Sequence, residues 1–123
     1  MSKPVLGIIG GGQLGSMLAV AAKKENIKII VFSDDKDAPA QKFCDQFICS
    51  DFKDEKSINK FTKNCDIVTF EFENIPFETL NKINKIKPVL PKPSVNEIVQ
   101  NRLSEKNFLN KLDIKTTKYV SIK

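Results

Sequence analysis

At 123 residues with 41% hydrophobic side chains, the chain has the length of one domain with a piece of a second, and the apolar content for one core. No apolar stretch nears the roughly 18 residues needed to cross a bilayer. The net charge of +5 comes from lysines interspersed with Asp and Glu, Arg102 being the single arginine, and the lack of a basic stripe with interleaved aromatics argues against a nucleic-acid partner.

Lys3 ahead of the apolar run Val5–Ile9 imitates a signal peptide, but glycines interrupt the run and no small-residue cleavage site follows. The expected compartment is therefore the cytoplasm. Cys44, Cys49 and Cys65 form no Cys-x-x-Cys pair, and the chain has no histidine. This argues against a structural zinc site or a histidine base in this segment and points to buried free thiols.

In chain order, Val5–Ile9 is a short apolar strand that runs into Gly10-Gly11-Gly12-Gln13-Leu14-Gly15. A strand, a Gly-x-Gly-x-x-Gly turn and a helix form the opening of a nucleotide-type α/β domain. The first glycine permits the sharp turn, the second admits a ligand to the backbone, and the third lets helix and strand pack closely. Free N–H groups at the helix start then favour a polar or anionic ligand. Gln13–Lys24 reads as that helix, with Leu14, Met17, Leu18 and Ala21 on its inner face.

Further apolar runs at Lys28–Phe32, Gln46–Cys49, Ile67–Phe70 and Pro88–Leu90 alternate with helical patterns. The stretch from Asp54 to Lys63 would bury Ile58 and Phe61, with Asp54 and Glu55 in its first turn. The stretch from Pro76 to Lys85 would bury Phe77, Leu80 and Ile83, with Pro76 at its first position. Alternation of this kind predicts a five-stranded parallel sheet, order 3-2-1-4-5, flanked by helices, with ligands outside the carboxyl ends of strands 1 and 4.

Beyond the proline-rich segment Lys87–Ser94, Ser94 and Glu97 form a capping-box pattern. A last amphipathic helix, Arg102 to Leu112, would turn Leu109 and Leu112 inward, and Tyr119–Ile122 reads as the start of a strand. A domain boundary is expected near residues 91 to 101.

At the end of the fourth strand stands Thr69-Phe70-Glu71-Phe72-Glu73-Asn74-Ile75-Pro76. Strand alternation would put Glu71 and Glu73 on one side and both phenylalanines on the other. Two adjacent carboxylates there are either a site for ligand hydroxyls, an amine or a cation, or solvated loop residues beside a phenylalanine core. Asp34 and Asp35, about 20 residues past Gly15, could serve the ribose of a dinucleotide. The same Ser33–Asp37 stretch is also rich in turn formers.

The glycine loop, Asp37-Ala38-Pro39-Ala40, Phe-Glu-Phe-Glu-Asn-Ile-Pro at 70–76, and Pro93-Ser94 followed by Asn101-Arg102-Leu103-Ser104-Glu105-Lys106 occur in this order. In these motifs the whole chain resembles the N-terminal part of the N5-carboxyaminoimidazole ribonucleotide synthetase family, ATP-grasp ligases of purine biosynthesis. The resemblance implies a Rossmann-like pre-ATP-grasp domain over 1–100 and the beginning of an ATP-grasp domain over 101–123.

It also implies the chemistry: ATP phosphorylates bicarbonate, and the amine of 5-aminoimidazole ribonucleotide is carboxylated, with magnesium accompanying the nucleotide. By the resemblance, Gly12, Gln13, Leu14, Glu71 and Glu73 meet the ribonucleotide and Arg102 approaches ATP. Catalytic and metal-binding residues are expected beyond residue 123, because such enzymes are about three times this length. The full-length enzyme is expected to be a homodimer that binds neither nucleic acid nor membrane. Ser16 stands where the family usually carries a basic residue. The alternative reading, from the glycine fingerprint and Asp34 alone, is an NAD(P)-binding module of an oxidoreductase or sensor.

Overall fold

A computed structural model describes residues 2–123. Among them, four parallel strands, β1 (Val5–Ile9), β2 (Lys28–Ser33), β3 (Gln46–Cys49) and β4 (Ile67–Phe70), form one sheet in the order β3-β2-β1-β4. Both faces are covered, which is why the strands read as continuous apolar runs. Ile9, Ile30, Phe32 and Val68 pack with Ile58, Phe61, Leu80 and Ile83 of helices α2 (Glu55–Asn64) and α3 (Phe77–Asn84). On the other face Ile8, Ile29 and Val31 pack with Ala19 and Ala22 of α1 (Gln13–Lys24) and Ala40 of the 3-10 segment Pro39–Phe43.

The expected fifth strand is not a strand. Val89 makes only an isolated parallel bridge to Val68, through Val68 N–H to the Pro88 carbonyl and Leu90 N–H to the Val68 carbonyl, both 2.9 Å. Pro88, on the same side as Leu90, has no N–H to offer β4, so the ladder cannot extend in that direction. The segment lies beside β4, on the edge where strand 5 was placed.

The inner face of α1 also differs from expectation. Its buried residues are Gly15, Ala19 and Ala22, whereas Leu14 and Met17 are 57% and 61% exposed, and Leu18 and Ala21 are exposed too. The helix comes so close to the sheet turn that a Cβ on Gly15 would lie 2.6 Å from the Gly10 carbonyl oxygen. Only the small-residue stripe fits that gap, and the large apolar stripe is turned outward.

Helix ends are refined in the same way. Asp54 is the cap of α2 and not part of its first turn, its carboxylate accepting from Ser57 N–H at 2.9 Å. Pro76 likewise precedes α3, and Phe77 is only half-buried; Thr79 takes the inner position and donates to the Phe52 carbonyl at 2.8 Å. Helix α4 (Pro93–Val99) starts at Pro93 after Lys92, with no side-chain cap, so the Ser94 capping box does not form. Proline already suits the first helical position and needs no donor there.

Helix α5 (Arg102–Lys111) is capped by Asn101, whose Oδ1 accepts from Leu103 and Ser104 N–H. It has no buried residue: Leu109 is half-buried, and Leu112 just beyond it is 55% exposed. Tyr119–Ile122 forms no strand, and Val120 and Ile122 are exposed.

Candidate functional site

The glycine loop joins the carboxyl end of β1 to α1. Gly10 turns the chain at φ +100°, a conformation that side chains disfavour, and its N–H donates to the Phe32 carbonyl at 2.8 Å. The next residues are tied to the loop after β2. Ala40 N–H donates to the Gly11 carbonyl at 2.9 Å, and a Cβ on Gly11 would meet the Ala38 methyl at 2.6 Å. The Asp37–Ala40 motif thus acts as a brace for the glycine loop.

From the opposite side, Glu71 enters just past β4. Its N–H continues the ladder to the Ile9 carbonyl at 3.1 Å, and its Oε1 accepts from Gly12 N–H at 3.1 Å. A carboxylate is well placed there, because the positive end of the α1 dipole and its unpaired first-turn N–H groups face it. Together Gly10–Gly12, Glu71, Phe72 and Asp34 line a shallow cavity of about 180 Å³. Larger hollows of about 490 and 600 Å³, against the outer face of α1 and the C-terminal segment, do not touch the glycine loop.

The sequence-selected residues therefore divide. Gly12 and Glu71 meet in a hydrogen bond across 59 residues. Gln13 and Leu14 are exposed on the first turn of α1, beside that cavity's glycine wall. Glu73 is exposed in the turn before α3 and is not among the residues lining the cavity. Strand alternation does not reach it because β4 ends at Phe70. For the same reason Phe72 lines the cavity, while Phe70 packs on the core. Arg102 is exposed on α5, pairs with Glu105 at 3.1 Å, and borders a separate hollow with Lys106 and Tyr119.

The aspartates after β2 show the turn chemistry: Asp35 N–H donates to Ser33 Oγ, and Asp35 Oδ1 accepts from Asp37 N–H at 2.9 Å. Ser33 is buried and forms part of the cavity wall. Neither it nor Phe72 was selected from the sequence, and adjacency to strand ends is the signal that would have found both.

All three cysteines are free: Cys65 is buried, Cys44 half-buried, and Cys49 exposed, contrary to the expectation that all are buried. Burial pushes the Cys65 thiol up to about 12 and also raises that of Cys44, so neither is an activated nucleophile. Among the described residues, no three His, Cys, Asp or Glu side chains gather as metal ligands, and no helix is long and apolar enough to cross a membrane.

Residues 2–100 match the family model described as the ribonucleotide synthetase preATP-grasp domain. The chain belongs to this family. A preATP-grasp relative, the N5-carboxyaminoimidazole ribonucleotide synthase of Staphylococcus epidermidis, is 39% identical over 117 residues, which are 95% of this chain and 31% of that protein. Among solved structures, the N5-carboxyaminoimidazole synthetase of Staphylococcus aureus complexed with ADP superposes with a TM-score of 0.92 at 33% identity, covering 98% of this chain and 33% of that one. The Aspergillus clavatus N5-carboxyaminoimidazole synthase, in complex with ADP and 5-aminoimidazole ribonucleotide, superposes at 0.84 with 28% identity, covering 94% and 31%. The preATP-grasp chain thus spans about a third of the length of the relatives it matches. These matches are to ribonucleotide synthetases, and the oxidoreductase alternative finds no support among them.

Proposed function

We propose that this chain is the ribonucleotide-binding part of an ATP-dependent carbon–nitrogen ligase. In that enzyme, 5-aminoimidazole ribonucleotide is carboxylated with bicarbonate to N5-carboxyaminoimidazole ribonucleotide. The observation that carries the reading is the Gly12–Glu71 pair at the strand ends, in a fold shared with a relative that holds ADP and 5-aminoimidazole ribonucleotide.

In this reading Glu71 accepts a hydroxyl or amine of the ribonucleotide while Gly12 N–H holds its carboxylate in place. The first-turn N–H groups of Gln13 and Leu14 receive polar or anionic atoms, and Glu73 reaches the ligand from the exposed turn. Residues 1–100 form the pre-ATP-grasp unit and 101–123 begin the ATP-grasp unit, where Arg102 approaches ATP. Magnesium, when bound, neutralises phosphate charge during transfer. The described residues do not fit a magnesium centre, so its ligands would come from elsewhere in the enzyme. A cytoplasmic homodimer completes the proposal.

Calorimetric titration of the chain with 5-aminoimidazole ribonucleotide and, separately, with NADH tests it. The ribonucleotide is expected to bind and NADH is not; the reverse would overturn the reading.

A further inference from the structure

The segment between β4 and α3 carries Glu71 and Phe72 to the cavity, yet it has little structure of its own. Its internal backbone hydrogen bond, Ile75 N–H to the Phe72 carbonyl, is long at 3.4 Å, and Phe72, Glu73 and Asn74 are exposed. At its far end it is held by Asn96 of α4 and by Gln100, the residue that caps the C-terminus of α4. The Gln100 amide donates to the Glu73 carbonyl at 2.8 Å and also to the Ile75 carbonyl. Asn96, fully buried, donates to the same Ile75 oxygen at 3.1 Å.

Asn96 Oδ1 is buried with no hydrogen-bond partner among the described residues. An unsatisfied buried amide oxygen costs stability. The hydrogen bond that Asn96 does make, from Nδ2 to the Ile75 carbonyl, ties α4 to the loop after β4. Gln100 is in turn the residue before Asn101, the cap of α5, whose first residue is Arg102.

We propose that Gln100 is a positioning residue. Its amide fixes the Glu73–Ile75 backbone, so that Glu71 stays on the Gly12 N–H and Phe72 stays against the cavity. It thereby couples the α4–α5 junction to the ligand site. The effect on ligand binding rests on the ribonucleotide reading above; the effect on Glu71 does not.

The test is residue-resolved amide hydrogen exchange on the 123-residue chain, comparing wild type with Gln100→Met, which keeps side-chain length and removes both donors. Gln100→Glu, nearly isosteric and also without the N–H groups, serves if the first variant fails to fold. The Gly12 and Glu71 amides are expected to exchange roughly three- to tenfold faster, the scale of one lost hydrogen bond, while β1 amides stay as in wild type. Gly12 exchange equal to wild type, or a uniform rise through β1, would overturn the proposal.

In parallel, 5-aminoimidazole ribonucleotide is titrated into both proteins. Binding weakened in step with the Gly12 exchange supports coupling, and unchanged affinity overturns it. If wild type itself does not bind the ribonucleotide, the functional reading falls, and the Gly12 amide alone decides whether Gln100 positions Glu71.

Discussion

The sheet region and the C-terminal region are built from similar residues but packed very differently. Around the sheet, Phe32, Phe61, Ile8 and Ile9 are completely enclosed. Along α5 and beyond, Leu103, Phe108, Leu112 and Ile114 are all exposed, between 38% and 55%. Both regions show apolar periodicity, so periodicity alone does not say whether a face will be covered. What distinguishes the sheet region is that helices cover both faces of its central strands, even though the large apolar stripe of α1 is left uncovered, and stability should follow that cover.

The largest expected effect tests this directly. Phe61→Ala removes a ring packed against Phe32 at 5.5 Å between centroids and should cost about 3–5 kcal/mol in chemical denaturation. Phe108→Ala on α5 should change stability by about 0.5 kcal/mol or less. Similar losses from the two substitutions would erase the distinction between the regions. Hydrogen exchange should draw the same line: amides across 102–123 should exchange faster than those of β1. Equal protection in a monomeric sample would contradict it.

Next in size is the site itself. Glu71→Gln keeps the shape of the side chain but weakens its charge-assisted bonds, which are worth on the order of 1.5–3 kcal/mol. Ribonucleotide affinity should therefore fall roughly tenfold or more, with the chain still folded and stability lowered only by the weakened bond to Gly12 N–H. Unaltered affinity would return Glu71 to the role of a cap on α1. Glu73→Gln, in a turn away from the cavity lining, should weaken binding less than Glu71→Gln, and the pair measures how far the site extends past β4.

Why some of this could be read from the sequence and some could not comes down to range. The bounds of β1, β3 and β4 follow from local apolar runs, and the turn at Gly10 follows from the glycine spacing. The inner face of α1 was misassigned because two stripes share the helical period. Choosing between them requires knowing how close Gly15 comes to Gly10, a tertiary fact. At 88–90 the apolar run suits a strand, but Pro88 lacks the donor that the ladder toward β4 needs. At the site, the end of the fourth strand opposite the glycine loop already points to Glu71 and Glu73, and the family resemblance adds to it; strand alternation does not carry as far as Glu73 because β4 stops at Phe70. The Gln100 bonds to Glu73 and Ile75 span 27 and 25 residues, and no local pattern announces them.

The smallest expected effect sharpens the comparison at two helix caps. Helix α2, on the sheet, is capped by Asp54, and α5 by the neutral Asn101. The hydrogen bonds from Ser57 hold the Asp54 carboxyl below its ordinary value of 3.8. A depressed carboxyl pKa means that the ionised form favours the folded state. Its stabilising contribution is then complete above the unfolded value and fades as pH falls through the lower, folded value. Asparagine is an equally good cap without a titrating charge, so Asp54→Asn isolates the charge. Thermal melts should place wild type slightly above Asp54→Asn at neutral pH, with the two converging once the solution is acid enough to protonate Asp54 in the folded state. Asn101 cannot titrate, so its cap on α5 should show no such dependence. A wild-type advantage that persists after Asp54 is protonated would mean that shape, and not charge, makes the difference at this cap.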